Sequence, residues 1–360
     1  MIRYILKRLF YGILVLFGVI AVVFFLFNVL SADTARMMLV QRADISSIEA
    51  INRDLGRDKP LHTQFFNYLN DLSPLSVHNW KDSNSYWYLD ASKYGKPPEM
   101  LHFSGDQVVV LKAPYLRRSY QSKRPVSEIL ADAFPNTALL ALVSILFAAI
   151  VGIAIGILSA LKKDTWFDHS ALVFSVMGMS LPSFFAAILI AWIFAFLLSD
   201  YTGLNMFGSL YTVDDFGEGE HIELRNLILP AFTLGIRPLA VIVELTRSSL
   251  LDVMSQDYIR TAKAKGLGRA AIIFRHAMKN VMNPVVTAIS GWFASLMAGA
   301  VFVEYVFDWK GVGVVIVDGL NKYDFPVVMG ALLSIAVILV LINIITDIIY
   351  GFLDPRIRLQ

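Results

Sequence analysis

Residues 137–161 read TALLALVSILFAAIVGIAIGILSAL and contain no charged side chain. A helix that crosses a lipid bilayer needs about 20 predominantly apolar residues to cover about 30 Å of hydrocarbon. This stretch therefore predicts a transmembrane helix. Within it, Gly152 and Gly156 are four residues apart, a spacing that suits close packing against a second helix in the membrane.

The composition of the whole chain agrees with a membrane protein. Of its 360 residues, 56% are hydrophobic and 17% are charged, whereas a soluble domain has about 25% charged residues. Two soluble α/β domains are thereby excluded. The formal net charge of +2 gives no indication of nucleic-acid binding. The chain contains no cysteine, which excludes disulfides, thiolate nucleophiles and zinc–thiolate sites.

Six apolar stretches meet the length criterion for a membrane-spanning helix. The predicted spans are residues 9–30, 137–161, 171–198, 227–250, 281–307 and 327–352. The first span follows Arg3, Lys7 and Arg8, as the core of a signal peptide would, but its apolar run of 22 residues exceeds the roughly 7–15 residues of such a core. We therefore predict an uncleaved first span and an all-α polytopic membrane protein with six transmembrane helices.

The distribution of Lys and Arg predicts the orientation of the spans, because cytoplasmic loops retain basic residues. The N-terminal tail, the loops after the second and fourth spans and the C-terminal tail together hold 13 Lys and Arg, whereas the opposite short loops hold 3. Both termini are therefore predicted to be cytoplasmic. The loop at residues 251–280 contains six of the basic residues and is the most basic of the predicted cytoplasmic segments.

Residues 31–136 form the one long segment between predicted spans and are predicted to be extracytoplasmic. Ser46 and Glu49 form a capping box that predicts the start of a helix. Residues 62–72 have the pattern of a second short helix, and residues 107–111 have the pattern of a strand. Two roles remain open for this segment: a cap that packs on the outer ends of the helices, or a docking surface for another protein.

The chain lacks the motifs of common enzymes. It contains no Gly-x4-Gly-Lys-Ser/Thr phosphate loop, no His-Glu-x-x-His and no Gly-x-Ser-x-Gly. Its six histidines are scattered, and no two of them stand three or four residues apart, as metal ligation from one helix would require. We therefore predict no catalytic, cofactor-binding or metal-binding residue. A membrane enzyme or a stand-alone channel is kept as the alternative class of function.

The loop after the fourth span predicts a short basic helix. Residues 249–269 read SLLDVMSQDYIRTAKAKGLGR. Ser255 or Asp257 is placed to cap the N-terminus of this helix, and Gly266 is placed to end it in the left-handed conformation. The helix would be small on one side and basic on the other. It either rests its lysines on anionic lipid headgroups or presents a contact surface to a partner.

The fourth span contains charged residues that need partners. Arg237, Glu244 and Arg247 lie within or near the membrane, where an Arg near the helix centre costs about 2.5–3.5 kcal/mol. Glu244 and Arg247 are three residues apart, so they are predicted to be close enough to pair directly. Arg237 either lines a translocation path and touches a substrate carboxylate, or forms an internal salt bridge to a neighbouring span.

The run DYIRTAKAKGL at residues 257–267 resembles the coupling loop in membrane subunits of bacterial ABC importers. More specifically, the chain resembles the dipeptide/oligopeptide permease family, which also includes nickel importers. The general importer motif begins with Glu-Ala-Ala, where this chain has Arg260-Thr261-Ala262. Residues 72–116 resemble no part of the family. Other stretches resemble it in the same order, namely LGRDKPL (55–61), SLPSF (180–184), LTRSSL (245–250), VEYVF (303–307) and LDPRI (353–357).

The resemblance implies a type I ABC-importer permease fold in a bacterial inner membrane. The predicted spans divide the chain into residues 1–30, 31–136 and 137–360, the last of which is the five-helix permease core. The implied partners are a second permease subunit, identical or different, two cytoplasmic ATPase subunits, an extracytoplasmic substrate-binding protein and membrane lipid, but no nucleic acid. ATP and Mg would be held by the ATPase subunits, and this chain would hold no cofactor. Peptides are the implied substrate, with nickel or another small solute as the alternative.

The resemblance also implies the residues that carry the function. Contact with an ATPase subunit is expected from Asp257, Tyr258, Arg260, Thr261, Ala262, Lys263, Ala264, Lys265 and Gly266. In this role the basic residues supply charge and Tyr258 supplies an anchor. Ala262, Ala264 and Gly266 would allow close approach of the partner. Arg237 and Glu244 are the candidates for the translocation path.

Overall fold

The computed structural model describes residues 2–30, 59–82, 85, 87–95, 98–103, 106–213 and 219–353. The chain divides into two units. Unit 1 comprises Met1–Asp132 with Val315–Ile344, and unit 2 comprises Ala133–Val314 with Ile345–Gln360. The capping box predicted at Ser46 and Glu49 lies outside the described residues. The division at residues 30 and 136 stays a prediction.

The described part of the chain is mostly helical, as predicted. Its α-helices are α1 (Ile2–Phe24), α2 (Leu61–Leu72), α3 (Ala91–Tyr94), α4 (Val126–Leu161), α5 (Trp166–Ser180), α6 (Ser183–Ile190), α7 (Ser199–Thr202), α8 (Arg225–Met254), α9 (Asp257–Ala264), α10 (Arg269–Ala271), α11 (Met278–Gly299), α12 (Val301–Phe307), α13 (Val312–Asn321) and α14 (Phe325–Leu353). Its strands are β1 (Leu75–Asn79), β2 (Glu99–Phe103), β3 (Gln107–Leu111), β4 (Tyr211–Val213) and β5 (Glu220–Ile222). Short π-helical segments occupy Phe25–Leu30, Ala191–Leu197 and Ile272–Ala277.

The membrane-spanning character of the chain is confirmed by its long apolar helices. Among the described residues, five stretches are long and apolar enough to cross a membrane: Leu6–Asn28, Val126–Leu161, Arg225–Met254, Arg269–Ala298 and Phe325–Ile348. A sixth span results if the bent pair of α5 and α6 is counted as one. Several of these helices extend beyond the apolar cores predicted from the sequence, because a helix does not end where its hydrophobicity ends.

The third predicted span, residues 171–198, is divided between two helices. α5 ends at Ser180, α6 begins at Ser183, and the two helices are bent by 111°. Pro182 explains the break, because proline lacks a backbone N–H and disfavours helical geometry at the residue before it. Leu181 accordingly has extended backbone angles. The fifth predicted span, residues 281–307, is likewise divided, with α11 and α12 meeting at Ala300.

In unit 1, α1 and α2 share an apolar core with the start of α14. Val23 and Phe24 of α1, Tyr68 of α2 and Met329 and Leu333 of α14 are buried together. α2 confirms the helix predicted at residues 62–72, and its aromatic residues therefore hold the segment after the first span against unit 1's own helices.

The segment between the first two spans contains a small antiparallel sheet with strand order β1-β3-β2. β3 confirms the strand predicted at residues 107–111, and Val77 of β1 pairs with Val109 of β3. The outer edge of β1 is covered by Asn70 of α2, whose amide accepts a hydrogen bond from the Val77 N–H at 3.0 Å and donates one to the Val77 carbonyl at 2.9 Å. The Asn70 side chain thereby satisfies backbone groups at the edge of β1 that would otherwise be unpaired.

The end of the same segment is tied to the start of α14. The Asp324 carboxylate accepts hydrogen bonds from the Ser119 hydroxyl at 2.5 Å and from the Tyr120 N–H at 2.9 Å. Asp324 and Ser119 are both buried. These contacts favour the role of a cap that packs on the helices of unit 1.

In unit 2, α4 packs closely against α8, as the Gly152 and Gly156 spacing predicted. A Cβ atom at Gly152 would lie 2.9 Å from the Ile242 side chain, and one at Gly156 would lie 2.6 Å from Thr246. At the other end of α4, the fully buried Glu304 of α12 accepts hydrogen bonds from the Thr137 hydroxyl at 2.7 Å and from the Gly313 N–H at 2.6 Å. This carboxylate fixes the start of α13.

His78 of β1 is buried beneath the sheet in unit 1. Its ring lies 3.2 Å from the Trp87 carbonyl and 3.0 Å from the Ser76 hydroxyl. Burial, together with the nearby Lys112 ammonium, lowers the pKa of His78 to about 4. The folded segment therefore favours the neutral form of the His78 imidazole.

We predict that the sheet loses stability as the pH falls from about 6.5, the usual histidine pKa, to about 4. In this window the unfolded segment takes up a proton that the folded segment excludes, so acid favours unfolding. Relative to a His78→Gln variant, hydrogen exchange of the β3 amides, corrected for intrinsic rates, should show protection at least tenfold lower at pH 5 than at pH 7.

The matched control is His78→Gln, which keeps polar atoms but cannot titrate. Burial raises the pKa of Asp71, and this works in the opposite direction, so the variant should show a flat or rising protection towards acid pH. An equal loss of protection in the variant and the unmodified chain would contradict the assignment to His78.

Candidate functional site

The loop at residues 251–280, called the coupling loop below, contains the predicted short helix as α9. Ile259 is fully buried and Ala262 is buried, and both belong to one apolar cluster. The other buried members of the cluster are Ala160, Leu250, Ile272, Ala277 and Val281. Apolar contacts within the chain therefore anchor α9 to the ends of α4 and α8 and to the start of α11.

The opposite side of α9 is exposed. The exposed residues are Asp257, Tyr258, Arg260, Thr261, Lys263, Ala264, Lys265 and Gly266. Of the nine residues predicted for partner contact, only Ala262 lies inside the chain's own core, so it supports α9 from within instead of meeting a partner. Its burial follows from its position three residues after Ile259, on the same face of the helix.

The two ends of α9 differ in how well the sequence predicted them. Gln256 occupies the N-cap position without a side-chain hydrogen bond. The predicted cap by Ser255 or Asp257 was therefore wrong, because the helix begins at Asp257 itself and Gln256 takes the N-cap position. Gly266 ends the helix in the left-handed region with φ of +77°, as predicted. A Cβ there would meet no atom within 4 Å, so the backbone angle alone favours glycine.

The exposed side of α9 is strongly basic. Among the described residues, Lys263 and Lys265 have no acidic group within salt-bridge distance, and Arg260 reaches only the exposed Asp257 of its own helix. Lysine ammonium groups that are not neutralised within their own chain favour contact with an acidic surface. The arrangement therefore presents an anchored helix whose free face carries positive charge.

Tyr258 connects α9 to the following span. Its side chain is 40% exposed, and its hydroxyl accepts a hydrogen bond from the Asn280 amide of α11 at 2.8 Å. One part of the ring is thus free for a partner, while the hydroxyl is held by the chain. A force on Tyr258 would be carried directly to the start of α11.

An ion pair between the partly buried Arg247 and the buried Asp168 joins three helices next to the coupling loop. The guanidinium of Arg247 in α8 donates two hydrogen bonds to Asp168 of α5, at 2.5 and 2.6 Å. The same carboxylate accepts hydrogen bonds from the Ser159 hydroxyl of α4 and from the Asp164 N–H at 3.0 Å. Bidentate pairs of this kind have a fixed geometry as well as strength. α4, α5 and α8 are therefore locked together at one point.

The predicted pairing of Arg247 with Glu244 was wrong. Asp168 takes the guanidinium, although it is 79 residues away in the chain, because it lies on the packed side of α5 and can meet both guanidinium nitrogens. Glu244 is exposed on α8. Asp168 was missed because it precedes the predicted third span, and its only signal in the sequence is that a membrane arginine needs an acid.

Arg237 and Glu244 share an exposed face of α8 in unit 2. The guanidinium of Arg237 donates a single hydrogen bond to the Met179 carbonyl at 3.5 Å. A salt bridge from Arg237 to a neighbouring span does not occur within the described ranges. An exposed charge on a membrane-spanning helix is expensive in lipid, so this face of α8 is better suited to water or to another polypeptide.

Among the described residues, no three His, Asp or Glu side chains form a group that could hold a metal ion. The side chains brought together at the coupling loop instead fix a basic helix to its neighbouring helices. The helix α9 is held by the apolar cluster and by the hydrogen bond between Asn280 and Tyr258. It follows α8, whose Arg247 pairs with Asp168.

Comparison with known proteins identifies the family. Residues 152–359 match the family described as "Binding-protein-dependent transport system inner membrane component", and residues 1–79 match its N-terminal companion family. The chain is similar in fold to a chain in the inward-facing MetNI methionine ABC transporter, with a TM-score of 0.51 and 15% identity over 63% of this chain and 97% of the other.

Curated relatives match along the whole length. The dipeptide transport system permease protein DppB of Alkalihalophilus pseudofirmus is 31% identical over 99% of this chain and 100% of its own. The di/tripeptide permease DppB of Pseudomonas aeruginosa is 32% identical over 100% of both chains. The glutathione permease GsiC of Salmonella typhimurium is 33% identical over 99% of both. This chain therefore belongs to the family of binding-protein-dependent transport system inner membrane components.

Proposed function

We propose that this chain is one permease subunit of an ATP-driven importer of di- or oligopeptides. It would form half of the translocation path together with a second permease subunit, identical or different. Two cytoplasmic ATPase subunits would hold ATP and Mg, and an extracytoplasmic binding protein would deliver the substrate. The names of the relatives, which concern dipeptides, di/tripeptides and glutathione, support a peptide substrate over nickel.

The observation that carries the proposal is the two-sided construction of α9. Its inner side is fixed by Ile259 in the apolar cluster, and its outer side is basic and exposed. A partner can shift a conformational equilibrium only when its contact energy differs between the two states. A rigid, charged helix gives an ATPase subunit such a contact, and its anchoring passes the movement to α8 and α11.

Orientation follows from the same proposal. ATPase subunits that hold ATP work in the cytoplasm, so the coupling loop and both termini would face the cytoplasm of a bacterial inner membrane. The exposed face of α8 with Arg237 and Glu244 would then line the path, and Arg237 would meet a carboxylate of the peptide.

We predict that Gly266→Val leaves the chain inserted but uncouples ATP hydrolysis from uptake. A β-branched residue is strained at a φ of +77°, at a cost of about 1–3 kcal/mol, so the end of α9 should rearrange. In proteoliposomes containing the full transporter, uptake per ATP hydrolysed should fall at least tenfold.

Gly268→Val is the matched control for this experiment. Gly268 has an ordinary φ of −64°, and a Cβ atom added there would also meet no atom within 4 Å. It should therefore keep nearly normal coupling. Normal coupling in Gly266→Val, or equal losses in the two variants, would count against the role of α9.

We predict that Arg237→Gln is produced at normal abundance but imports peptides with a free C-terminal carboxylate roughly tenfold more slowly. Peptides with an amidated C-terminus should be affected less, because they do not need the guanidinium. Uptake of both peptides, measured beside membrane abundance, checks this.

Arg247→Gln serves as the structural comparison on the same helix. It leaves the buried Asp168 unpaired, which costs about 3–5 kcal/mol, so this variant should lose abundance. Loss of abundance in Arg237→Gln would place Arg237 among the structural residues. Equal slowing for both peptides would contradict its contact with the peptide carboxylate.

A further inference from the structure

Unit 2 contains a cavity of 530 Å³ between the coupling loop and the ends of α4 and α8. This volume lies within the range of roughly 300–1,000 Å³ that is usual for small-molecule sites. Eight of the ten residues that line the cavity are apolar, and the other two are Lys263 and Arg269. Such a lining fits a ligand that is itself partly apolar and partly anionic.

The cavity lies at the ends of two membrane-spanning helices. α4 ends at Leu161 and α8 ends at Met254, and both of these residues line the cavity. Both helices are long and apolar enough to cross a membrane, so their ends lie near the level of the lipid headgroups. Leu161 is 50% exposed, which leaves this wall open to the surroundings of the chain.

Lys263 projects from the anchored side of α9. Because each residue of an α-helix is turned by about 100° from the one before, Lys263 lies roughly 40° around the helix axis from the buried Ile259. Asp257 and Thr261 lie roughly 160° from Ile259, on the outer face of the helix. The apolar stem of Lys263 can therefore follow the cavity wall while its ammonium group stays in contact with polar groups.

The two cations of the cavity are not neutralised by the part of the chain that the structure describes. Both side chains are exposed, and none of the residues that line the cavity is acidic. Within the described ranges, no salt bridge joins Lys263 or Arg269 to another residue. The cavity therefore offers two positive charges to an anion from outside the chain.

A phospholipid has both required parts and is available at this level of the membrane. Its phosphate would accept hydrogen bonds from the Lys263 ammonium and the Arg269 guanidinium. An acyl chain would lie on Leu161, Leu251 and Met254. An inorganic phosphate ion would leave the apolar walls without a partner. An acidic segment of an ATPase subunit would have to reach the anchored side of α9, behind its outer face.

We infer that this cavity is a site for an anionic phospholipid, whose headgroup is held by Lys263 and Arg269 and whose acyl chain lies against the ends of α4 and α8. The lipid would fill the space between the coupling loop and these two spans. Lys263 would then contact the membrane, whereas Asp257 and Thr261 remain available to an ATPase partner. The inference does not depend on the identity of the transported substrate.

Native mass spectrometry tests the inference on the full transporter, released from nanodiscs that contain equal amounts of phosphatidylglycerol and phosphatidylcholine. The unmodified complex should retain phosphatidylglycerol in preference. In Lys263→Gln/Arg269→Gln this preference should fall about 25-fold, because each cation near a bilayer surface contributes about fivefold to the binding of anionic lipid. Leu161→Asn should weaken retention about fivefold, because the acyl chain loses an apolar contact.

Arg275→Gln/Lys279→Gln is the matched control. It removes one Arg and one Lys from exposed positions in the same loop, neither of which lines the cavity, so the preference should stay unchanged. Equal losses in the two double variants would show only a general attraction of the basic loop for anionic lipid and would overturn the inference. So would the absence of any preference in the unmodified complex, or unchanged retention in Leu161→Asn. Loss of the ATPase subunits from Lys263→Gln/Arg269→Gln with its phosphatidylglycerol retained would assign the cavity to the ATPase contact instead.

Discussion

A single buried carboxylate, that of Asp168, organises the part of unit 2 next to the coupling loop. Asp168 holds Arg247 through two hydrogen bonds and also binds Ser159 and the turn at Asp164, so that α4, α5 and α8 meet at one point. One helical turn beyond Arg247, Leu250 enters the cluster that buries Ile259 of α9. A movement of α9 thus reaches a body whose helices are already fastened together. Without this fastening, the same movement would be lost in the bending of separate helices.

Features that depend on local chain properties were predictable from the sequence. The spans follow from apolar length, the position of α9 follows from helix propensity, and the left-handed end at Gly266 follows from the lack of a Cβ atom. The break at Pro182 was also predictable, because the proline is visible in the sequence. A search for apolar length alone does not detect it.

Features that depend on which elements pack together were not predictable. The partner of Arg247 is 79 residues away, and a shorter spacing to Glu244 offered a plausible local alternative. Ala262 has the small side chain that a contact surface would use, yet the packing of α9 turns it inward. Gly152 and Gly156 of α4 were partly predictable. Their spacing indicated close packing, but only the fold shows that Ile242 and Thr246 of α8 pack against them.

Direct measurement of the distance between the coupling loop and α5 tests the central claim that they move as one body. The chain has no cysteine, so spin labels can be attached at Arg269→Cys, just beyond α9, and His169→Cys, next to Asp168, both of which are exposed sites. Pulsed electron paramagnetic resonance on the full transporter, with and without ATP, should give the same mean distance in both states. A change in that distance larger than the width of its distribution would contradict the account.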